Sequence, residues 1–79
     1  MDPGHLVDMA NRIGAFFAAQ PDRAEALDGV ATHLCKFWAP RMRRQLLDQI
    51  DRGEADALSA LVREAVARHR ARLEPARPA

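Results

Sequence analysis

The sequence predicts an all-α domain, a small compact bundle or array of about four short amphipathic helices, and three observations predict it. Tyrosine is absent, β-branched residues are few, and the helix formers Ala, Leu and Arg are abundant. Apolar residues recur at steps of three and four in four successive segments, the spacing that places them on one helix face. Gln20-Pro21-Asp22, Ala39-Pro40 and Arg52-Gly53 fall between those segments, where helices stop and start.

The first helix carries Leu6, Met9, Ile13, Phe16 and Phe17 on one face, with Asp8 and Arg12 pointing elsewhere. Asp22 is placed to cap the second helix, with Glu25 three residues on in the capping-box position and Pro21 barring continuation from before. The second helix turns Leu27, Val30, Leu34, Phe37 and Trp38 inward and leaves Asp28 and Lys36 off the stripe. Pro40 breaks the chain after Trp38 and opens a third helix whose inward residues are Met42, Leu46, Leu47 and Ile50. Arg52-Gly53 closes it. The fourth helix starts between Asp56 and Ser59, turns Leu58, Leu61, Val62, Ala65 and Val66 inward, and fades into a polar tail from His69 onward. Pro75 and Pro78 leave the end frayed from about residue 73. The first two helices end in aromatic pairs, Phe16-Phe17 and Phe37-Trp38. Neighbouring helical residues point ~100° apart, so a thin bundle is poorly placed to enclose both members, leaving one of each pair to face a partner.

With 79 residues, 48% of them hydrophobic, the chain reads as one domain over residues 1–79. A domain of this size buries a little over ~60% of its unfolded surface, so a deep catalytic cleft competes with the core for the same residues. That argues against a self-contained enzyme. One cysteine forms no internal disulfide, and one cysteine with three scattered histidines builds no structural zinc site. The chain therefore reads as reduced and cytoplasmic. The start, Met1-Asp2-Pro3-Gly4, lacks a cationic region, and the apolar run from Ile13 to Ala19 falls far short of the ~20 residues that span a bilayer. Neither a secretion signal nor contact with a membrane is expected. Gly4, Gly14, Gly29 and Gly53 are isolated, so no phosphate-binding glycine loop is present.

The net charge is +1, but it is unevenly spread: residues 1–40 hold three basic and five acidic side chains, and residues 41–79 hold nine and six. Arg68, Arg70 and Arg72 near the C-terminus read as a solvated face favoured by the helix dipole. Arg41, Arg43 and Arg44 are different, because three cations at a helix start oppose the dipole with no acid in the same turn. Pairing with carboxylates on helix 2 or on another protein explains them more simply. Next to Phe37-Trp38 they have the makeup of an interaction hot spot, since Trp and Arg are enriched there. Phe37, Trp38, Arg41, Arg43 and Arg44 are therefore the candidate partner-binding residues. Nucleic-acid binding through the arginines is the alternative, disfavoured by near-neutral charge and the lack of any recognised nucleic-acid motif.

No catalytic residue stands out. Cys35 has no base or oxyanion donor in reach and reads as an inert thiol, and His33 points ~200° away from it around the helix. His5 and His69 read as surface or capping residues. Asp48 with Asp51, and Glu54 with Asp56, are explained by salt pairing with Arg44 and Arg52.

The stretches Met9-Ala10-Asn11-Arg12-Ile13-Gly14-Ala15-Phe16-Phe17, Pro21-Asp22-Arg23, Glu25-Ala26-Leu27, His33-Leu34 and Phe37-Trp38-Ala39-Pro40-Arg41-Met42-Arg43 together resemble the small delta subunit of soluble NAD-dependent formate dehydrogenases. Leu58 to Val66 adds a weaker signal. The chain departs from the family pattern at Ala39, where an acid between Trp and Pro would cap the third helix. The resemblance implies a non-catalytic accessory subunit that stabilises or helps assemble the larger formate dehydrogenase subunits, the catalytic alpha subunit first among them. It further implies a complex carrying pterin-bound molybdenum, iron-sulfur clusters and FMN, and using NAD. This chain is expected to bind none of these cofactors: a cluster wants about four thiolates and there is one cysteine, and no dinucleotide fingerprint is present.

Overall fold

Residues 2–75 are described by a computed structural model with five helices: α1 (Pro3–Phe17), α2 (Arg23–Phe37), α3 (Pro40–Asp51), α4 (Ala60–Arg68) and α5 (Arg70–Leu73). No strand occurs among the described residues. The helix starts follow local chemistry. The Asp2 carboxylate accepts from the Gly4 N–H at 3.2 Å, and Asp22 accepts from those of Ala24 and Glu25 at 2.8 and 3.3 Å. Ser59 Oγ accepts from the Val62 N–H at 3.3 Å. Each satisfies amides that the first turn leaves without an intrahelical partner. At α3, Ala39 supplies no side-chain cap and Pro40 takes the first position instead, where its missing N–H costs nothing.

The C-terminus of α3 needs a glycine. Gly53 has φ +71°, and the N–H groups of Gly53 and Glu54 donate to the carbonyls of Ile50 and Gln49 at 3.0 and 2.9 Å. This paired pattern is the Schellman motif, closed by a left-handed residue that glycine adopts without strain.

Helix α2 lies at the centre, packing against α1, α4 and α5, while α1 also contacts α3 and α4. The core joins Leu6 and Ala10 of α1, Leu27, Val30 and Leu34 of α2, Leu46 and Leu47 of α3, and Val62, Ala65 and Val66 of α4. The α1–α4 crossing is close enough that a Cβ on Gly14 would lie 2.5 Å from Val62 Cγ2. The long α3–α4 connection is tied down by side chains. Asn11 donates to the Ala57 carbonyl at 2.9 Å and accepts from the Ser59 N–H at 2.8 Å. Arg63 donates to the Ala55 carbonyl at 2.5 Å. The radius of gyration is 11.8 Å, close to the ~11.6 Å expected of a folded chain this long.

The structure differs from the sequence reading at three places. Phe16 and Phe37, which their spacing put on the inward stripes, point outward, and in each pair the following residue, Phe17 or Trp38, takes the inward position. Leu58 precedes α4 instead of lying in it, yet it is buried in the core. The chain after His69 does not fade at once: residues 70–73 form α5, and Leu73 is only 2% exposed. Burial of that leucine against α2 and α4 outweighs the entropy of a loose end. Of the tail expected to fray, residues 76–79, Pro78 among them, lie outside the described residues.

Candidate functional site

Each aromatic pair sends one member out. Phe16 and Phe37 are 73% and 71% exposed, whereas Phe17 is half-buried and Trp38 is buried. The two outward rings belong to one surface. Phe16 meets Phe17 edge-on with centroids 5.0 Å apart, Phe17 approaches His33 at 6.4 Å, and His33 tilts against Phe37 at 4.7 Å. Centroid separations of this size suit edge-to-face and tilted aromatic pairs. The end of α1 and one face of α2 thus form a continuous aromatic ledge.

Gly29 makes this junction possible. It lies one helical turn before His33, and a Cβ there would collide with the Phe17 ring, so the ring rests directly on the α2 backbone. Beside it runs an open groove lined by Phe17, Asp28, Gly29, Thr32, His33, Lys36 and Phe37. The groove's acid, Asp28, accepts from Arg72 at 2.8 Å, and Arg72 also donates to Thr32 at 2.7 Å. Lys36 has no ion-pair partner among the described residues.

Of the five candidate residues, the fold keeps three at the surface and uses two inside. Phe37, Arg41 and Arg44 are exposed, and neither arginine side chain is hydrogen-bonded or ion-paired among the described residues. Trp38 is 5% exposed and packs into the core. Arg43 donates to the carbonyls of Cys35 (3.2 Å), Trp38 (2.8 Å) and Leu73 (3.1 Å). It therefore caps the C-terminal end of α2 and reaches that of α5, where carbonyls without intrahelical partners carry partial negative charge. This arrangement gives Trp38 and Arg43 intramolecular roles in packing and carbonyl binding. It also answers the puzzle of cations at the start of α3, since one of the three serves the end of the preceding helix.

The C-terminal arginines are likewise more than a solvated face. Arg70 binds both carboxylate oxygens of Asp51, at 2.8 and 2.7 Å, and also Glu74 at 3.0 Å. With Arg72 on α2, these bonds clasp α5 to two earlier helices. Asp51 therefore pairs with Arg70, not with Arg44, while Glu54 pairs with Arg52 at 3.0 Å as its position suggests. The Arg70 hydrogen bonds hold the Asp51 carboxyl below its ordinary value of 3.8, against a smaller upward push from desolvation. Cys35 donates its thiol to the Arg72 carbonyl at 3.2 Å, and His33 packs on the aromatic ledge, so the two serve separate surfaces.

Sequence reasoning missed the contributions of Phe16, Phe17, His33 and Lys36 as parts of one surface. A partial signal was present: Gly29, His33 and Phe37 recur at four-residue steps and so share a face of α2. Nothing local said that the end of α1 would lie against it.

Among the described residues, no group of three or more His, Cys, Asp or Glu could hold a metal ion, and no helix is long and apolar enough to cross a membrane. No curated protein and no solved structure matches the chain. A family model does match, over residues 5–66, described as NADH-dependant formate dehydrogenase delta subunit FdsD. That match spans α1 to α4 up to Val66 and includes both ends of the aromatic ledge, and the chain belongs to this delta-subunit family.

Proposed function

We propose that this chain is a non-catalytic accessory subunit of a cytoplasmic formate dehydrogenase, docking on the larger subunits to stabilise them or assist their assembly. The catalytic alpha subunit is the first candidate for the contact. In this reading the pterin-bound molybdenum, iron-sulfur clusters and FMN belong to the larger subunits, as does the NAD site, and the delta chain offers surface instead of chemistry.

The observation that carries the reading is the exposure of Phe16 and Phe37 on one ledge of a very small domain. Leaving two phenylalanines in water forgoes about 1.5–3 kcal/mol for each ring that could be buried, and a protein partner would recover that energy. Domains of this length supply only ~3–5 kcal/mol from one core, so docking would also stabilise the delta chain itself. The nucleic-acid alternative is left with Arg41 and Arg44, because Arg43 is engaged by carbonyl oxygens.

The test is a pull-down of the tagged chain from its native cytoplasm, with mass spectrometry of the bound proteins and a formate-oxidation assay on the eluate. Recovery of large molybdenum and flavin subunits with activity is the expected result. Co-expressed large subunits that separate from the delta chain on gel filtration would sink the proposal.

A further inference from the structure

The ledge carries charge as well as apolar area, and the combination selects its occupant. Phe16 and Phe37 are the large apolar side chains left exposed among the described residues. Lys36 lines the groove beside Phe37 and has no acidic partner among the described residues, because Asp28, the acid lining that groove, is already bound to Arg72. Arg41 and Arg44 follow near the start of α3, both exposed and both without an acidic partner among the described residues. In sequence the exposed ring of Phe37 is thus flanked and followed by cations that no described residue neutralises.

Such a surface is complementary to apolar side chains bordered by carboxylates, since interfaces join a desolvated apolar centre to a rim of opposite charge. We infer that the occupant is a carboxylate-rimmed apolar patch on a large formate dehydrogenase subunit. It sets aliphatic or aromatic side chains against Phe16 and Phe37 and pairs a carboxylate with Lys36. A second copy of this chain fits less well. In a two-fold contact the same surface meets itself, and the groove would bring Lys36 towards another groove whose carboxylate is already engaged. The inference rests on the accessory-subunit reading and names the surface and the chemistry that it would use.

The experiment measures binding of the purified, end-labelled chain to the purified large subunits by fluorescence anisotropy at low and high salt. Phe16→Ser/Phe37→Ser is expected to weaken binding by about 100-fold or more, the scale of central interface anchors. Lys36→Glu is expected to weaken it by about 10-fold and to flatten the salt dependence. Far-UV circular dichroism of both variants should match the wild type, because all three side chains are exposed. If the wild type binds and both variants bind equally well, the ledge is not the contact, although the accessory role survives. If the wild type itself does not bind, both ideas fall. If the wild type runs as a dimer on gel filtration and the phenylalanine variant as a monomer, the occupant is a second copy and the inference is overturned.

Discussion

Arg43 places one guanidinium on three carbonyl oxygens, two at the end of α2 and one at the end of α5. Removing it leaves part-buried acceptors without a donor, so Arg43→Ala should cost about 2–4 kcal/mol in urea denaturation. Arg43→Lys should recover only part of that loss, because a compact ammonium cannot reach all three oxygens as the planar fork does. Arg41→Ala, by contrast, should leave stability within about 0.5 kcal/mol, a difference invisible in a run of similar arginines. The Asp51–Arg70 pair makes a prediction in pH. Since its bonds to Arg70 hold the folded carboxyl below 3.8, the stabilisation is complete above the unfolded-state value. It is then lost as pH falls through the folded one. Raising the Arg70 pKa keeps that side chain charged throughout this range, so it adds no slope of its own. Melting temperature measured from about pH 6 down to pH 2.5 should therefore fall less steeply in Asp51→Asn than in the wild type. The difference should be small, since solvent screens the pair.

Most of each helix was legible from spacing and caps, because those depend on residues within a few positions of one another. Asp22 caps α2 and Gly53 ends α3 as their residue types demand. What spacing could not decide was which of two adjacent aromatics turns inward. The choice depends on the helix across the contact, and at α1 it is made by Gly29, which admits the Phe17 ring against the α2 backbone. Gly14 does the equivalent at the α1–α4 crossing, where it admits Val62. Gly14→Ala gains about 1 kcal/mol of helix propensity but overpacks this contact, which costs about 1–3 kcal/mol. The net expectation is destabilisation by up to about 2 kcal/mol. Thermal unfolding of Gly14→Ala, Val62→Ala and the double variant checks this. The double variant should be more stable than the two separate losses predict, because shortening Val62 makes room for the new methyl group.

In the whole molecule, α5 holds a larger share of the stability than its four residues suggest. Leu73 is 2% exposed, its carbonyl accepts from Arg43, and Arg70 and Arg72 tie its helix to Asp51 and Asp28. Leu73→Ala should cost about 2–4 kcal/mol, most of the ~3–5 kcal/mol available to a domain this small. The isolated variant should show a shallow, low-temperature unfolding transition, and binding to the large subunits should raise it again by mass action. The sequence by itself determined the all-α class, the positions of the four principal helices, most of the core stripe and the family. All of these rest on short-range periodicity, capping chemistry and local motifs. Only the tertiary structure decided that Arg43 turns onto the helix ends, that Trp38 and not Phe37 is the buried member of its pair, that Leu73 anchors α5, and that Phe16 and Phe37 share one outward ledge. Those outcomes depend on contacts between segments distant in sequence, where close packing leaves room for one side chain and excludes its neighbour.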